Sequence, residues 1–249
     1  MLVSSSLAGP LIAGGVTLAA AAAVVTNAAL LPGSQIFGQT LIVGSDPKQV
    51  ALTFDDGPND RDTEVLLDLF AEHQVRATFF MIGRFVLQRK DLARRVLAAG
   101  HVVGNHTMTH PWLAWQSGTR IREELYGCHA ALQDTLGAPV RYFRPPHGAR
   151  RPLVLRLARE LGMQTVQWNV MGKDWLPIGV EGVLRNVRRG LSHCARRGVA
   201  ANILLHDGGD RALGTDRSAT VGAVRSLLAE LPAQGHQFVG VDRWVAELG

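Results

Sequence analysis

After Gly33 the chain alternates between short unbroken apolar runs and longer stretches in which apolar residues recur at helical spacing. Val50 to Phe54 reads as a buried strand, and residues 61–73 place Val65, Leu66, Leu69 and Phe70 on one face of a helix. The alternation continues with strand 77–82, helix 88–99, strand 101–104, helix 118–136, strand 140–143 and helix 151–161. It ends with strand 163–168, helix 179–197, strand 202–205, helix 217–231 and strand 236–240. Gly100, Gly137, Gly162, Gly198 and Gly235 fall just past predicted helices, where a C-terminal cap favours glycine. Strands alternating with helices in this way predict an α/β fold, either a parallel sheet curled into a barrel or an open doubly wound one. In both, chemistry belongs at the carboxyl ends of the strands.

The beginning of the chain follows another pattern. From Leu7 to Pro32 there is no charged residue, and Thr and Asn are the polar interruptions. That length matches the roughly 20 apolar residues that cross a bilayer. The reading is of two parts, an N-terminal hydrophobic segment and linker over 1–45 and a folded domain over 46–249. The segment reads first as a membrane anchor. A cleaved secretory signal and a buried helix are the alternatives, although a positive n-region is missing and Thr26-Asn27-Ala28 only loosely resembles a cleavage site. The rest of the chain is then expected at the outer side of a membrane, or secreted.

Composition narrows this picture. Of 249 residues 47% are hydrophobic and 19% charged, so a sizeable core is available and disorder is excluded. The net charge is +5, carried mostly by arginines dispersed over several predicted helices. Without a basic stripe interleaved with aromatics, nucleic acid is not an expected partner. Two cysteines, Cys128 and Cys194, exclude a disulfide framework; they are either two free thiols or one bridge.

Polar residues capable of catalysis sit at the predicted strand ends. Strand 50–54 runs into Asp55-Asp56-Gly57, strand 101–104 into Asn105-His106-Thr107-Met108-Thr109-His110, and strand 140–143 into Arg144-Pro145-Pro146-His147-Gly148. Strand 163–168 leads to Lys173-Asp174-Trp175, and strand 202–205 to His206-Asp207. His106 and His110 are four apart, so one helical turn would aim both imidazoles at one metal. Of two adjacent carboxylates, one can bind that metal while the other serves as base. Two histidines and a carboxylate leave open positions at Zn²⁺, and the set suits Fe²⁺, Co²⁺ or Ni²⁺ as well. Taken singly, each motif has a plainer structural reading as a cap, a turn or a packed histidine.

Together, in this order, these strings resemble the NodB-homology polysaccharide deacetylases, carbohydrate esterase family four, over about residues 47–245. The resemblance implies a distorted barrel of seven β/α units acting on N-acetylated amino sugars of a polysaccharide. It implies Asp55 as catalytic base, Asp56, His106 and His110 as metal ligands, and Arg144 as the residue orienting the base. Pro146 and His147 would lie in the substrate loop, with a backbone N–H near His147 holding the oxyanion. His206 would be the general acid, Leu204 and Trp175 would line the acetyl pocket, and Asp174 would raise the basicity of His206. Two positions depart from the family pattern: His147 stands where a tyrosine is usual, and Met171 where an acid is usual. An acetyl ester on xylan or a lipid-linked amino sugar are alternative substrates, and a non-catalytic glycan-binding scaffold is the rival of another class. Trp112 and Trp115 are read as either sugar-stacking or core residues, Asp207 as a supporting residue, and His73, His101, His129, His193 and His236 as ordinary residues without partners.

Overall fold

In a computed structural model of the protein, residues 24–245 are described. Residues 7–23 of the apolar run lie outside the described residues. Among those described, no helix is long and apolar enough to cross a membrane.

A helical segment α1 (24–30) precedes β1 (Gln49–Gly57), α2 (Asp62–His73), β2 (Thr78–Met81), α3 (Gly83–Gln88), α4 (Lys90–Ala98) and β3 (Val102–Asn105). Then come α5 (Gly118–Leu136), β4 (Tyr142–Phe143), α6 (Pro152–Glu160), β5 (Gln164–Thr165) and β6 (Val170–Met171). The chain continues with α7 (Gly179–Arg197), β7 (Ala201–His206), α8 (Ser218–Ala233), β8 (Gln237–Phe238) and α9 (Asp242–Val245). The strands pair in parallel in the order β5-β4-β3-β2-β1-β7-β6, with β8 beside the start of β1. The result is the curled seven-stranded path of the expected barrel. One member differs from expectation, since β6 takes a place on the path and the strand near 236–240 lies off it. The predicted strand 163–168 keeps only two ladder residues before its chain turns to bridge Leu41 through Val166. The predicted helix 88–99 is observed as α4, and an unpredicted helix, α3, precedes it; the two are separated at Arg89, whose guanidinium reaches back to Asp60.

Alternation along the strands separates two interiors. Val50, Leu52 and Phe54 of β1 and Ala201, Ile203 and Leu205 of β7 face outward, into the main core under the helices. Ala51 and Phe80 face inward, where Trp244 of α9 plugs the bottom of the barrel and donates from Nε1 to Gln49 Oε1 at 2.6 Å. Trp244 packs so closely on Gly44 that a Cβ there would come within 2.2 Å of its ring. Continuing the inward phase brings Thr53 and Asp55 from β1 and Asn202, Leu204 and His206 from β7 to the barrel interior. Parallel register sets Asp55 directly beside His206 at its upper end.

All five predicted capping glycines have positive φ. Cys128 and Cys194 are buried free thiols, which settles the cysteine alternatives against a bridge. The described part of the 1–45 segment is packed on the domain. Arg150, 1% exposed, donates from its backbone to the Ala29 carbonyl and from Nη2 to the carbonyls of Leu31 and Ser34.

Candidate active site

β1 carries two carboxylates to the top of the barrel and aims them differently. Its register against β2 slips between Asp55 and Gly57, and Asp56 takes φ 72 at that bulge. Asp55 Oδ1 is held by Arg144 Nη1 at 2.8 Å, while its Oδ2 lies 3.6 Å from His106 Nε2. Arg144 is fully buried, between the rings of Phe80 and Trp168, and also donates to Thr53 Oγ1 and the Gln167 carbonyl. Sequence reasoning missed these supports. Thr53 and Asn202, polar residues in the inward phase of otherwise apolar strands, were the signal for them.

His106 and His110 meet at Asp56, although not through a helical turn. Residues 106–110 form a loop in which Thr107 and His110 have φ 67 and 65. Thr107 Oγ1 accepts the His110 N–H at 3.0 Å, and buried Glu124 of α5 accepts from Thr109 N and Thr109 Oγ1. The turn thus reverses the chain, leaving the two rings 5.0 Å apart between centroids. Asp56 Oδ1 lies 3.5 Å from His106 Nε2 and 3.2 Å from His110 Nε2.

Donor chemistry shows that this trio suits a divalent cation. His106 Nδ1 faces the Arg144 carbonyl at 2.7 Å, and a carbonyl only accepts, so Nδ1 carries the proton and Nε2 presents its lone pair. Asp56 Oδ1 is buried and accepts no hydrogen bond. One ligand atom from each of Asp56, His106 and His110 lies within 4.8 Å of the others, a nitrogen-nitrogen-oxygen set of the kind Zn²⁺ and its first-row neighbours take. Burial alone would raise the Asp56 carboxyl, but the imidazoles of His106, His110 and His206 outweigh it and hold it well below the carboxylate range. Burial pushes His110 down to about 3. His106 is also disfavoured as a cation by burial, yet Asp55 and Asp56 raise it. The pocket thus favours a positive charge at its floor.

Across the cleft, His206 ends β7 with Nδ1 2.8 Å from Asp174 Oδ1. Asp174 Oδ2 accepts from the His206 backbone N–H at 2.8 Å and from Thr220 Oγ1 at 2.7 Å. Burial opposes the charge on both partners, but their attraction prevails: His206 is raised to about 9 and Asp174 is lowered. The plain turn-capping reading of Asp174 is therefore replaced by direct contact with His206, and the Trp175 ring stands edge-on to it at 5.3 Å. Met171 pairs with Leu204 in register, so the missing acid is replaced by an apolar side chain on the wall of the cleft.

A cleft of about 520 Å³ joins the two sides. Asp55, Asp56, His106, His110, His206, Leu204, Trp175 and His147 line it, with Trp112, read from the sequence as either sugar-stacking or core, and with Trp168, Asp210 and Arg217, which sequence reasoning did not place there. Arg144, Asp174 and Pro146 stand behind this lining. Neither Trp112, 44% exposed, nor Trp115, 69% exposed, is a core residue. One further expectation changes, that of His101 as a residue without partners, while Asp207 takes the supporting place expected of it. His101 is buried, accepts the Ala77 N–H and packs edge-on against Phe70 and Phe79. Asp207 is fully buried beneath Asp55 and Asp56, donates its N–H to the Asp55 carbonyl and accepts from Thr63 Oγ1 at 2.5 Å, with burial raising it to about 7. It fits because position 57 is glycine: a Cβ there would come within 2.3 Å of its carboxylate.

Comparison with known proteins agrees with this geometry. The family profile described as polysaccharide deacetylase matches residues 43–166. A peptidoglycan-N-acetylglucosamine deacetylase of Bacillus cereus is 37% identical over 202 residues, covering 80% of this chain and 89% of that protein. A chitooligosaccharide deacetylase of Sinorhizobium fredii is 38% identical over 202 residues, covering 77% and 89%. The solved structure of a peptidoglycan N-acetylglucosamine deacetylase in complex with 4-naphthalen-1-yl-N-oxidanyl-benzamide superposes with a TM-score of 0.74 at 29% identity, over 82% of this chain and 92% of that one. Sequence motifs, barrel and relatives converge, and the chain belongs to the NodB-type polysaccharide deacetylase family.

Proposed function

We propose that the protein is a metal-dependent hydrolase that removes acetyl groups from N-acetylated amino sugars of a peptidoglycan- or chitin-like polysaccharide. One observation carries the reading: Arg144-bound Asp55 and Asp174-bound His206 end adjacent strands and face the same cleft as the Asp56, His106 and His110 trio.

Asp56, His106 and His110 hold the cation, whose chemistry when bound is Lewis acidity toward a carbonyl oxygen and toward water. Zn²⁺ is the first choice, with Co²⁺, Ni²⁺ and Fe²⁺ as alternatives. Asp55 takes the proton of the attacking water. Arg144 fixes its Oδ1, which leaves Oδ2 for that proton and prevents the carboxylate from rotating. The backbone N–H near His147, on the left-handed turn after Pro146, donates to the oxygen that becomes negative. Leu204 and Trp175 enclose the acetyl methyl group. His206, its Nδ1 occupied by Asp174, gives the proton on Nε2 to the departing amine nitrogen. In this reading the N-terminal apolar run retains the enzyme at the outer face of a membrane or directs its secretion, and N-terminal sequencing of the mature protein separates the two.

The test is acetate release from peptidoglycan, chitin oligomers, acetylated xylan and a lipid-linked amino sugar, with and without a chelator. The reading expects release from the N-acetylated polymers, loss with the chelator and return with Zn²⁺. Preference for xylan would move the substrate to an ester. No release at all, with no metal bound after Zn²⁺ supplementation, would leave a glycan-binding scaffold.

A further inference from the structure

We infer that Trp112 and His147 together form a sugar-stacking platform that holds the pyranose ring next to the one being deacetylated. This assignment rests on the deacetylase reading and gives its cleft a polymer subsite.

The two rings are nearly parallel, 12° between planes, with centroids 3.9 Å apart. His147 is fixed from the other direction. Its backbone is left-handed at φ 56, and the His110 ring abuts it at 4.6 Å in an edge-on contact. Trp112 therefore rests on a short column of rings that begins at the metal trio, and one of its faces is covered by imidazole. It is nevertheless 44% exposed and lines the cleft, so ring surface that the imidazole leaves uncovered is accessible. A large, flat, immobilised indole with accessible ring surface is a poor neighbour for water and a good one for the C–H face of a pyranose.

Its position gives the subsite a direction. Trp175 stands against His206 at one end of the cleft, and Trp112 stacks on His147, which abuts His110, at the other. A ring seated between them for acetyl removal has its next neighbour in the polymer over Trp112. The histidine at 147, a departure from the family pattern, supplies the ring that lies under the indole. Trp115, although more exposed, is absent from the cleft lining.

The test uses the full chain and N-acetylglucosamine oligomers from monomer to pentamer, with calorimetric binding and acetate release measured side by side. Trp112→Ala is expected to weaken pentamer binding and raise its KM roughly three- to tenfold, by a factor that grows with oligomer length. Trp112→Phe should recover part of the loss, and Trp115→Ala should show none. Pentamer binding unchanged in Trp112→Ala, or weakened equally in Trp115→Ala, overturns the platform. Should Trp112→Ala not fold, wild-type protein labelled with 5-fluorotryptophan gives the same answer, because an unshifted Trp112 resonance at saturating pentamer also overturns it. Trp112-dependent binding without acetate release would support the platform and refute the deacetylase reading. Acetate release indifferent to Trp112 would do the reverse.

Discussion

On one side of the cleft His106 presents Nδ1 to the carbonyl of Arg144; on the other His206 presents Nδ1 to the carboxylate of Asp174. The rings are the same, His106 buried and His206 largely so, yet the groups behind them divide their work. A carbonyl is neutral and only accepts, so it fixes the tautomer of His106 without calling for a positive ring. A carboxylate fixes the tautomer and also stabilises the imidazolium, so His206 keeps its proton to about pH 9. The first arrangement suits a lone-pair donor to a cation, the second a proton donor to a leaving amine. Burial acts against charge on both sides and carboxylates oppose it on both, Asp55 and Asp56 around His106 and Asp174 at the Nδ1 of His206; what differs is the group that fixes each tautomer.

The largest effect that can be aimed at this division is on the base between the two sides. Asp55→Asn keeps the shape and removes the proton acceptor. It should lower kcat for acetate release by roughly 10²- to 10⁴-fold, while metal analysis still finds one cation per chain. Loss of the metal together with activity would mean that Asp55 is a ligand, and the assigned roles of the two carboxylates would have to change.

Next in size is the carboxylate behind the acid. Asp174→Asn leaves a neutral partner at His206, comparable to the one at His106, and should reduce kcat by about 10- to 100-fold. The sign of the pH effect follows from the shift. His206 is raised by Asp174, so activity that needs its protonated form is full below about pH 9 and falls above it. Without Asp174 the alkaline limb of kcat/KM should move to lower pH. A limb that stays in place would assign that ionisation to another group.

How much of this was legible in the chain depended on where polarity interrupts an apolar pattern. Asp55, His106, Arg144 and His206 were recognisable because each ends a hydrophobic run, and five such endings in one order indicated the family and the barrel. The division between the two histidines was not legible, because it depends on a backbone carbonyl in one case and on a side chain 32 positions away in the other. The loop over 106–110 departs from the expected helical turn because Thr107 and His110 take positive φ, which is uncommon outside glycine and which the sequence marks only weakly. Val170–Met171 was overlooked because two residues are too few to show a period, although they complete the sheet path beside β7. Thr220 gave no signal at all: it is one threonine near the start of α8, and only the fold brings it to Asp174.

That threonine provides the smallest and most discriminating test. Thr220 Oγ1 donates to Asp174 Oδ2, and the hydroxyl draws electron density from the same carboxylate that steadies His206. Thr220→Val keeps the branched shape and removes the donor, at a stability cost of about 1 kcal/mol, or a Tm lower by roughly 2–4 °C. An Asp174 with one fewer donor is a stronger base toward His206. The alkaline limb of kcat/KM should therefore move up slightly, opposite in direction to the shift in Asp174→Asn. General loosening of the site would weaken the Asp174 contact and move both variants the same way, downward. Opposed shifts from two substitutions on one hydrogen-bonded chain would tie the ionisation to the Asp174–His206 pair; a downward shift in Thr220→Val would show that Thr220 serves only to position Asp174.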